Sequence, residues 1–143
     1  MTARATEIAV VEEFFAALED LDVERAVGML TDDVRYQNVS LPAARGVRSV
    51  GRQLRWLAKL GDGFEVRIHS IAASGSTVLT ERTDVLIRGR FAAEFWVCGV
   101  FEVRDGKIAG WRDYFDWANL LAAGVRGAVR GAVQAAVGRI RRK

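Results

Sequence analysis

The hydrophobic period of the chain changes near residue 60 from mainly helical to alternating, and that change constrains its fold more than any other feature. Up to about residue 60, apolar residues recur at helical spacing; from residue 64 to residue 116 they alternate or are β-branched and aromatic, as on strands. Residues 64–72, 77–88, 91–103 and 107–116 each read as a strand. Gly75-Ser76, Gly89 and Asp105-Gly106 sit at the joints, and Asp-Gly is the strongest hairpin signal among them. Helices first and consecutive long strands afterwards predict an α+β fold with an antiparallel sheet, not a parallel one.

Within the helical part, Thr6 is placed to cap a helix that buries Ile8, Val11, Phe15 and Leu18. Asp22 is a second N-cap, opening a short helix with Ala26, Val27 and Leu30 inside, which Thr31-Asp32-Asp33 breaks. Residues 34–39 form a short strand, and Pro42 lies in the loop behind it. A third helix, about residues 47–60, puts Val50, Leu54 and Leu57 on one side and ends at Gly61-Asp62-Gly63. Residues 117–143 read as helical, with Gly124, Gly131 and Gly138 each weakening the helix by about 1 kcal/mol relative to Ala. The expected organisation is one domain over residues 1–118 and a basic, Gly/Ala-rich helical tail over residues 119–143.

A chain of 143 residues makes one domain with a core large enough to enclose a pocket. One cysteine (Cys98) and one histidine (His69) cannot supply a disulfide or a zinc cage, and no nucleophile elbow or phosphate-binding glycine loop is present. The expected metal and cofactor content is none. Residues 118–143 carry six basic side chains and no acid, which leaves residues 1–117 at −3 out of a total of +3. The high pI therefore belongs to the tail, and the folded body has no charge signature for nucleic acid. No stretch reaches the ~20 apolar residues of a membrane span, no export signal opens the chain, and the lone thiol points to the cytoplasm.

Strand periodicity then places charge where apolar residues are expected. One face of the last strand reads Ala109, Trp111, Asp113, Phe115, so a carboxylate lies between two aromatic rings. A carboxylate there needs a partner. Residues 77–88 offer one, because Val78, Thr80, Arg82, Asp84 and Leu86 share a face, and a guanidinium can donate to Asp84 and Asp113 together. The first strand adds Tyr36 and Asn38 on one face. Taken singly, an Arg-x-Asp pair is usually a solvent-facing ion pair and Tyr-x-Asn carries no chemistry. Taken together, three strands present polar groups on one partly apolar face, as a site does. Two carboxylates sharing one arginine form a coupled pair that holds a single proton, which suits acid–base work on a bound small molecule and water.

The segments Tyr36-Gln37-Asn38 with Leu41-Pro42, Thr80-Glu81-Arg82-Thr83-Asp84-Val85 and Gly110-Trp111-Arg112-Asp113-Tyr114-Phe115-Asp116 resemble the limonene-1,2-epoxide hydrolase family, in order and spacing, over most of residues 5–118. The resemblance implies the cone-shaped α+β fold of nuclear transport factor 2 and ketosteroid isomerase, and a homodimer. It implies one-step, cofactor-free hydrolysis of a lipophilic epoxide to a diol. In that reaction Asp113 is the base toward water, Tyr36 and Asn38 hold the water, Asp84 protonates the epoxide oxygen and Arg82 bridges the carboxylates. Two other readings compete. An isomerase or cyclase of the same fold would use Asp113 to abstract a carbon-bound proton, with no evident need for Arg82. A non-catalytic binding module would leave Asp84 and Asp113 without a purpose. Of the remaining residues, His69, Cys98 and Asp116 read as structural, and Arg48, Arg52, Arg55 and Lys59 as a solvated stripe. The tail either packs over its own domain or a partner, or rests on an anionic membrane surface.

Overall fold

The computed structural model describes residues 3–142. Helix α1 (Ala3–Glu19) and the short α2 (Val23–Gly28) lead into strand β1 (Leu30–Val39). The two-residue β2 (Ala44–Arg45) and helix α3 (Val47–Leu60) follow. Then come four long strands, β3 (Gly63–Ser74), β4 (Thr77–Arg88), β5 (Phe91–Arg104) and β6 (Lys107–Phe115), and a last helix, α4 (Trp117–Ile140). The six strands form one sheet in the order β2-β1-β6-β5-β4-β3. Its sequential pairs are antiparallel, whereas β1 joins β6 in parallel. The Asp105-Gly106 turn has φ of 52° and 73°, the left-handed pair that a two-residue hairpin twisted like its strands demands.

The helices cover one face of this sheet. Val11, Phe14 and Phe15, spaced to fall on one side of α1, are buried against β5 and β6. Phe14 meets the Trp111 ring edge-on at 5.2 Å, Phe15 meets Phe101 edge-on at 5.4 Å, and Phe101 stacks on Trp111 at 5.6 Å. These rings form the floor on which the polar side chains of β4 and β6 stand. Further along the same face, Phe95, Val97 and Ala123 of α4 make a second apolar cluster with Phe115 and Leu120. No helix among the described residues is long and apolar enough to cross a membrane.

Local details differ from the sequence expectations in physically readable ways. Helix α1 already runs from Ala3, so Thr6 lies inside it and is not its N-cap. Asp22 does cap α2, accepting from Arg25 N at 3.1 Å, but that helix stops at Gly28 and Leu30 begins β1. Thr31-Asp32-Asp33 is extended within β1 and not a break between elements. On β6, strict alternation puts Ile108 opposite to Trp111, yet both are buried, and Ala109 is only half-buried. A register shift across Glu102/Val103 absorbs the extra residue and turns Ile108 inward. A similar shift on β3 lies between Ile68 and Ser70, at His69, whose ring sits 2.8 Å from Thr83 Oγ1 on the exposed side.

The tail is a continuous helix laid along β5, held by close backbone approach. A Cβ added to Gly127 would overlap the carbonyl oxygen of Ala92, and one added to Gly131 would lie 3.2 Å from that of Arg90. Helix propensity lost at glycine is offset here by a tighter contact than any side chain allows.

Phe14→Ala should cost about 3–5 kcal/mol of unfolding free energy, because a fully buried ring joining three others is replaced by a cavity. Denaturant melts of this variant and of Leu41→Ala, whose half-exposed side chain should matter by less than about 0.5 kcal/mol, give the comparison.

Candidate active site

One row across four strands positions the polar residues. Asn38 of β1 lies beside Asp113 of β6, Asp113 beside Gly99 of β5, and Gly99 beside Thr80 of β4. The neighbouring row is apolar, with the rings of Tyr36, Trp111 and Phe101 followed by Val78. Arg82 stands one step beyond Thr80 on the same face of β4, and Asp84 one step further. All three, with Asp113, are at most 5% exposed. The structure therefore brings Tyr36, Asn38, Arg82, Asp84 and Asp113 together on the helix-covered face of the sheet.

Arg82 organises the group. Its Nε donates to Asp84 Oδ1 at 2.8 Å and its Nη2 to Asp84 Oδ2 at 3.2 Å. The same Nη2 reaches Asp113 Oδ1 at 2.9 Å, while Nη1 donates to Thr80 Oγ1 at 3.2 Å. Phe15 lies under the guanidinium, 4.9 Å from ring centre to Cζ. Asp113 Oδ1 also accepts from the Trp111 indole at 2.8 Å. Both donors to Asp113 thus converge on one oxygen, and Oδ2 receives none from the described residues. Tyr36 donates its hydroxyl to Asn38 Oδ1 at 2.9 Å, which leaves the Asn38 amide hydrogens to serve another acceptor.

Burial and charge set the protonation states. Burial pushes the Asp84 carboxyl up to about 6 against the pull of Arg82. Burial also raises Asp113, again opposed by Arg82 and by the Trp111 hydrogen bond. Burial works against the charge of Arg82, but the two carboxylates outweigh it and hold the guanidinium cationic. Two carboxylates and one guanidinium would leave a net −1 in a dry site. Retaining one proton makes the cluster neutral, so the pair titrates as a unit with one proton kept above the ordinary carboxylate range. Burial, then the charge of Asp113, push the Tyr36 phenol up as well, so it remains a neutral donor.

Three contributors escape a reading based on charged residues alone. Thr80 takes the third arm of Arg82, and Trp111 supplies a hydrogen bond as well as a ring. Gly99 matters through what it lacks. A Cβ there would overlap Arg82 Nη1 and lie 2.8 Å from Thr80 Oγ1 and 3.0 Å from Asp113 Oδ1. Arg82 and Asp113 stand two strands apart, about 9.6 Å at the usual strand spacing, so the guanidinium must cross β5, and it does so over this glycine. A Gly inside a strand is the sequence signal for such a close approach. Among the other candidates, Asp116 caps α4 by accepting from Asn119 N at 3.1 Å, and Arg55 pairs with Glu24 at the surface. Among the described residues no three His, Cys, Asp or Glu side chains converge as metal ligands.

Comparison with known proteins converges on one family. The profile of the limonene-1,2-epoxide hydrolase catalytic domain matches residues 5–126. The epoxide hydrolase EphG of Mycobacterium tuberculosis is 48% identical over 119 residues, covering 83% of this chain and 79% of that protein. The structure of a limonene-epoxide-hydrolase-like epoxide hydrolase from M. tuberculosis superposes with a TM-score of 0.85 at 44% identity, covering 93% of this chain and 99% of the other. A Kribbella flavida protein assigned to the ketosteroid isomerases shares the fold alone, with a TM-score of 0.66 at 20% identity over 80% of this chain and 81% of its own.

Gly99→Ala should displace the guanidinium and cost about 1–3 kcal/mol of stability, as overpacking of a filled core does. Gly110→Ala is the control: its added carbon meets only the Glu102 side chain, at 3.5 Å, and should be close to neutral in the same urea titration.

Proposed function

The chain belongs to the limonene-1,2-epoxide hydrolase family and is an epoxide hydrolase, and from that premise we propose that Asp113 and Asp84 divide the reaction between them as base and acid. The arrangement of Arg82 carries this reading: it ties up both oxygens of Asp84 but only one of Asp113. Asp113 Oδ2 is the open acceptor, next to Asn38 in the sheet, whose amide hydrogens are also uncommitted. A water placed there donates one proton to Asp113 and is oriented by the amide of Asn38, which Tyr36 fixes. Its oxygen attacks a ring carbon, the carbon–oxygen bond of the epoxide breaks, and the departing oxygen takes the proton of Asp84. The product is a vicinal diol. Asp113 ends protonated and Asp84 ionised, so one proton passes back across the pair before the next turnover. Concerted attack and protonation avoid a free alkoxide, which leaves poorly.

The substrate class follows from the walls. Beyond the carboxylates on the same face lie Phe95, Phe115, Leu120 and Ala123, an apolar surface that suits a lipophilic, terpene-, fatty-acid- or sterol-like epoxide. We place a homodimer contact on the opposite face of the sheet, where Leu79, Trp96 and Tyr114 are exposed and adjacent strands present them together. A cytoplasmic setting is supported by the unpaired Cys98.

Asp113→Asn keeps shape and hydrogen bonding but cannot accept the proton, so diol formation should fall by at least about 10²–10⁴-fold while the thermal transition stays cooperative. A rate within a few-fold of the parent removes Asp113 from the base role. With enzyme in excess over epoxide in ¹⁸O-water, the first turnover should already carry label in the diol; unlabelled diol would show a covalent ester.

The Asp84 carboxyl must be protonated to act, so kcat/KM should fall as pH rises through about 6. The sign for stability is the same. Because the folded-state value lies above the ordinary 3.8, the folded protein holds an extra proton across that window, and the Asp84 contribution to stability declines as pH rises through it. Arg82→Lys should distort the rate profile, since an ammonium cannot bridge two planar carboxylates.

A further inference from the structure

Helix α4 is built inside out. Its small residues Ala123, Gly127 and Gly131 face the sheet, while Leu121, Val125, Val129, Val133, Val137 and Ile140 are 44–74% exposed. At 100° per residue these six fall within an arc of about 160° running the length of the helix. On the same projection Arg130 borders one edge of the stripe and Arg139 the other, while Arg126 lies within it, between Val133 and Val137. No acidic side chain lies anywhere in the helix. An outward stripe of largely exposed aliphatics is an apolar surface without a partner among the described residues.

A second observation lies at the C-terminal end of the same helix. Arg139 and Arg142 of the tail and Arg90 of the β4–β5 turn line a hollow of about 260 Å³, with Ala135 and Gly138 completing it. A Cβ added to Gly138 would come 3.4 Å from Arg90 Nη1, so this glycine admits the guanidinium alongside the helix. None of the three arginines forms an ion pair among the described residues. Three like charges gathered around one cavity without a counter-charge are arranged for a multivalent anion.

We propose that the outward face of α4 rests on an anionic bilayer surface, its aliphatic stripe at the acyl boundary and Arg90, Arg139 and Arg142 gathering a lipid phosphate. Charge complementarity selects this occupant. A second copy of the helix laid on the stripe would bring arginine rows against each other, whereas a negative surface answers every charge the helix carries. The proposal deepens the hydrolase reading, on which it rests only for its purpose: lipophilic epoxides concentrate in the membrane, and an enzyme held there meets them at high local concentration.

Full-length protein is co-sedimented at low salt with vesicles of mixed phosphatidylglycerol and phosphatidylcholine, and with phosphatidylcholine alone. Binding should be at least about tenfold tighter to the anionic vesicles and weaken as salt rises. The double variant R139Q/R142Q should lose about 25-fold, at about fivefold per arginine near such a surface. V129D/V133D should lose binding by a similar factor or more. Both should turn over a water-miscible epoxide within about twofold of the parent, since the substituted side chains are exposed and none belongs to the polar cluster or its apolar wall. Equal binding to neutral vesicles, or unchanged binding by R139Q/R142Q, overturns the proposal. So does release of the protein from vesicles by millimolar inorganic phosphate at constant ionic strength, which would make the hollow a free-anion site. If V129D/V133D instead splits an oligomer in size-exclusion chromatography while vesicle binding persists, the stripe is a contact between copies. The sedimentation contains no epoxide, so its failure leaves the hydrolysis standing, and loss of turnover with binding intact does the reverse.

Discussion

A buried guanidinium shared by two carboxylates governs the rest of this molecule. Removing three charges from water is costly, and apolar residues of similar volume often stabilise a core better. The cluster persists because the fold around it satisfies the guanidinium's nitrogens: Asp84 takes two contacts, Asp113 one and Thr80 one, with the Phe15 ring beneath. Those partners come from different elements, Phe15 from α1, Thr80 and Asp84 from β4 and Asp113 from β6, so one guanidinium joins a helix to two strands across Gly99 of β5. An arrangement that is expensive for stability is retained where its proton can be used.

That use depends on asymmetry between two chemically identical groups. Both carboxylates are raised by burial and lowered by the same arginine. The distribution of two donors apiece separates them: Asp84 has a donor on each oxygen, and Asp113 has both of its donors on one. The indole of Trp111 is therefore part of the site's electrostatics. It holds Asp113 in the orientation that leaves one oxygen open, while its ring joins the aromatic floor.

Much of this was legible in the amino-acid order. The switch from helical to alternating period gave the α+β class, and alternation alone put Arg82 beside Asp84 and Asp113 between aromatics. Sequence patterns fail where tertiary contacts override them. Ile108 is inward only because a register shift inserts a residue beside it, and no local pattern announces that shift. Thr6 has the chemistry of a cap, but the helix starts earlier. Gly99 is silent on a charge map, since its role is the volume it leaves to Arg82, which only the pairing of β4, β5 and β6 defines. The tail glycines read as helix-weakening because propensity knows nothing of the Ala92 and Arg90 carbonyls they approach.

The parallel pairing of β1 with β6 has a consequence for the order of assembly. Strands β3 to β6 are joined by short turns and pair with near neighbours in the chain, which makes that meander quick to form. Tyr36 and Asn38 reach Asp113 only when a segment from the first third of the chain closes onto one from its end, the most entropically demanding contact in the sheet. On a ribosome, Arg82, Asp84 and Asp113 are threaded onto one meander, whereas Tyr36 and Asn38, beside the open oxygen, wait for β6 to emerge in full. Completion of the polar cluster is thus coupled to the arrival of β6: a product that stops short of it retains Arg82 and Asp84 but lacks the closure that sets Asn38 beside Asp113.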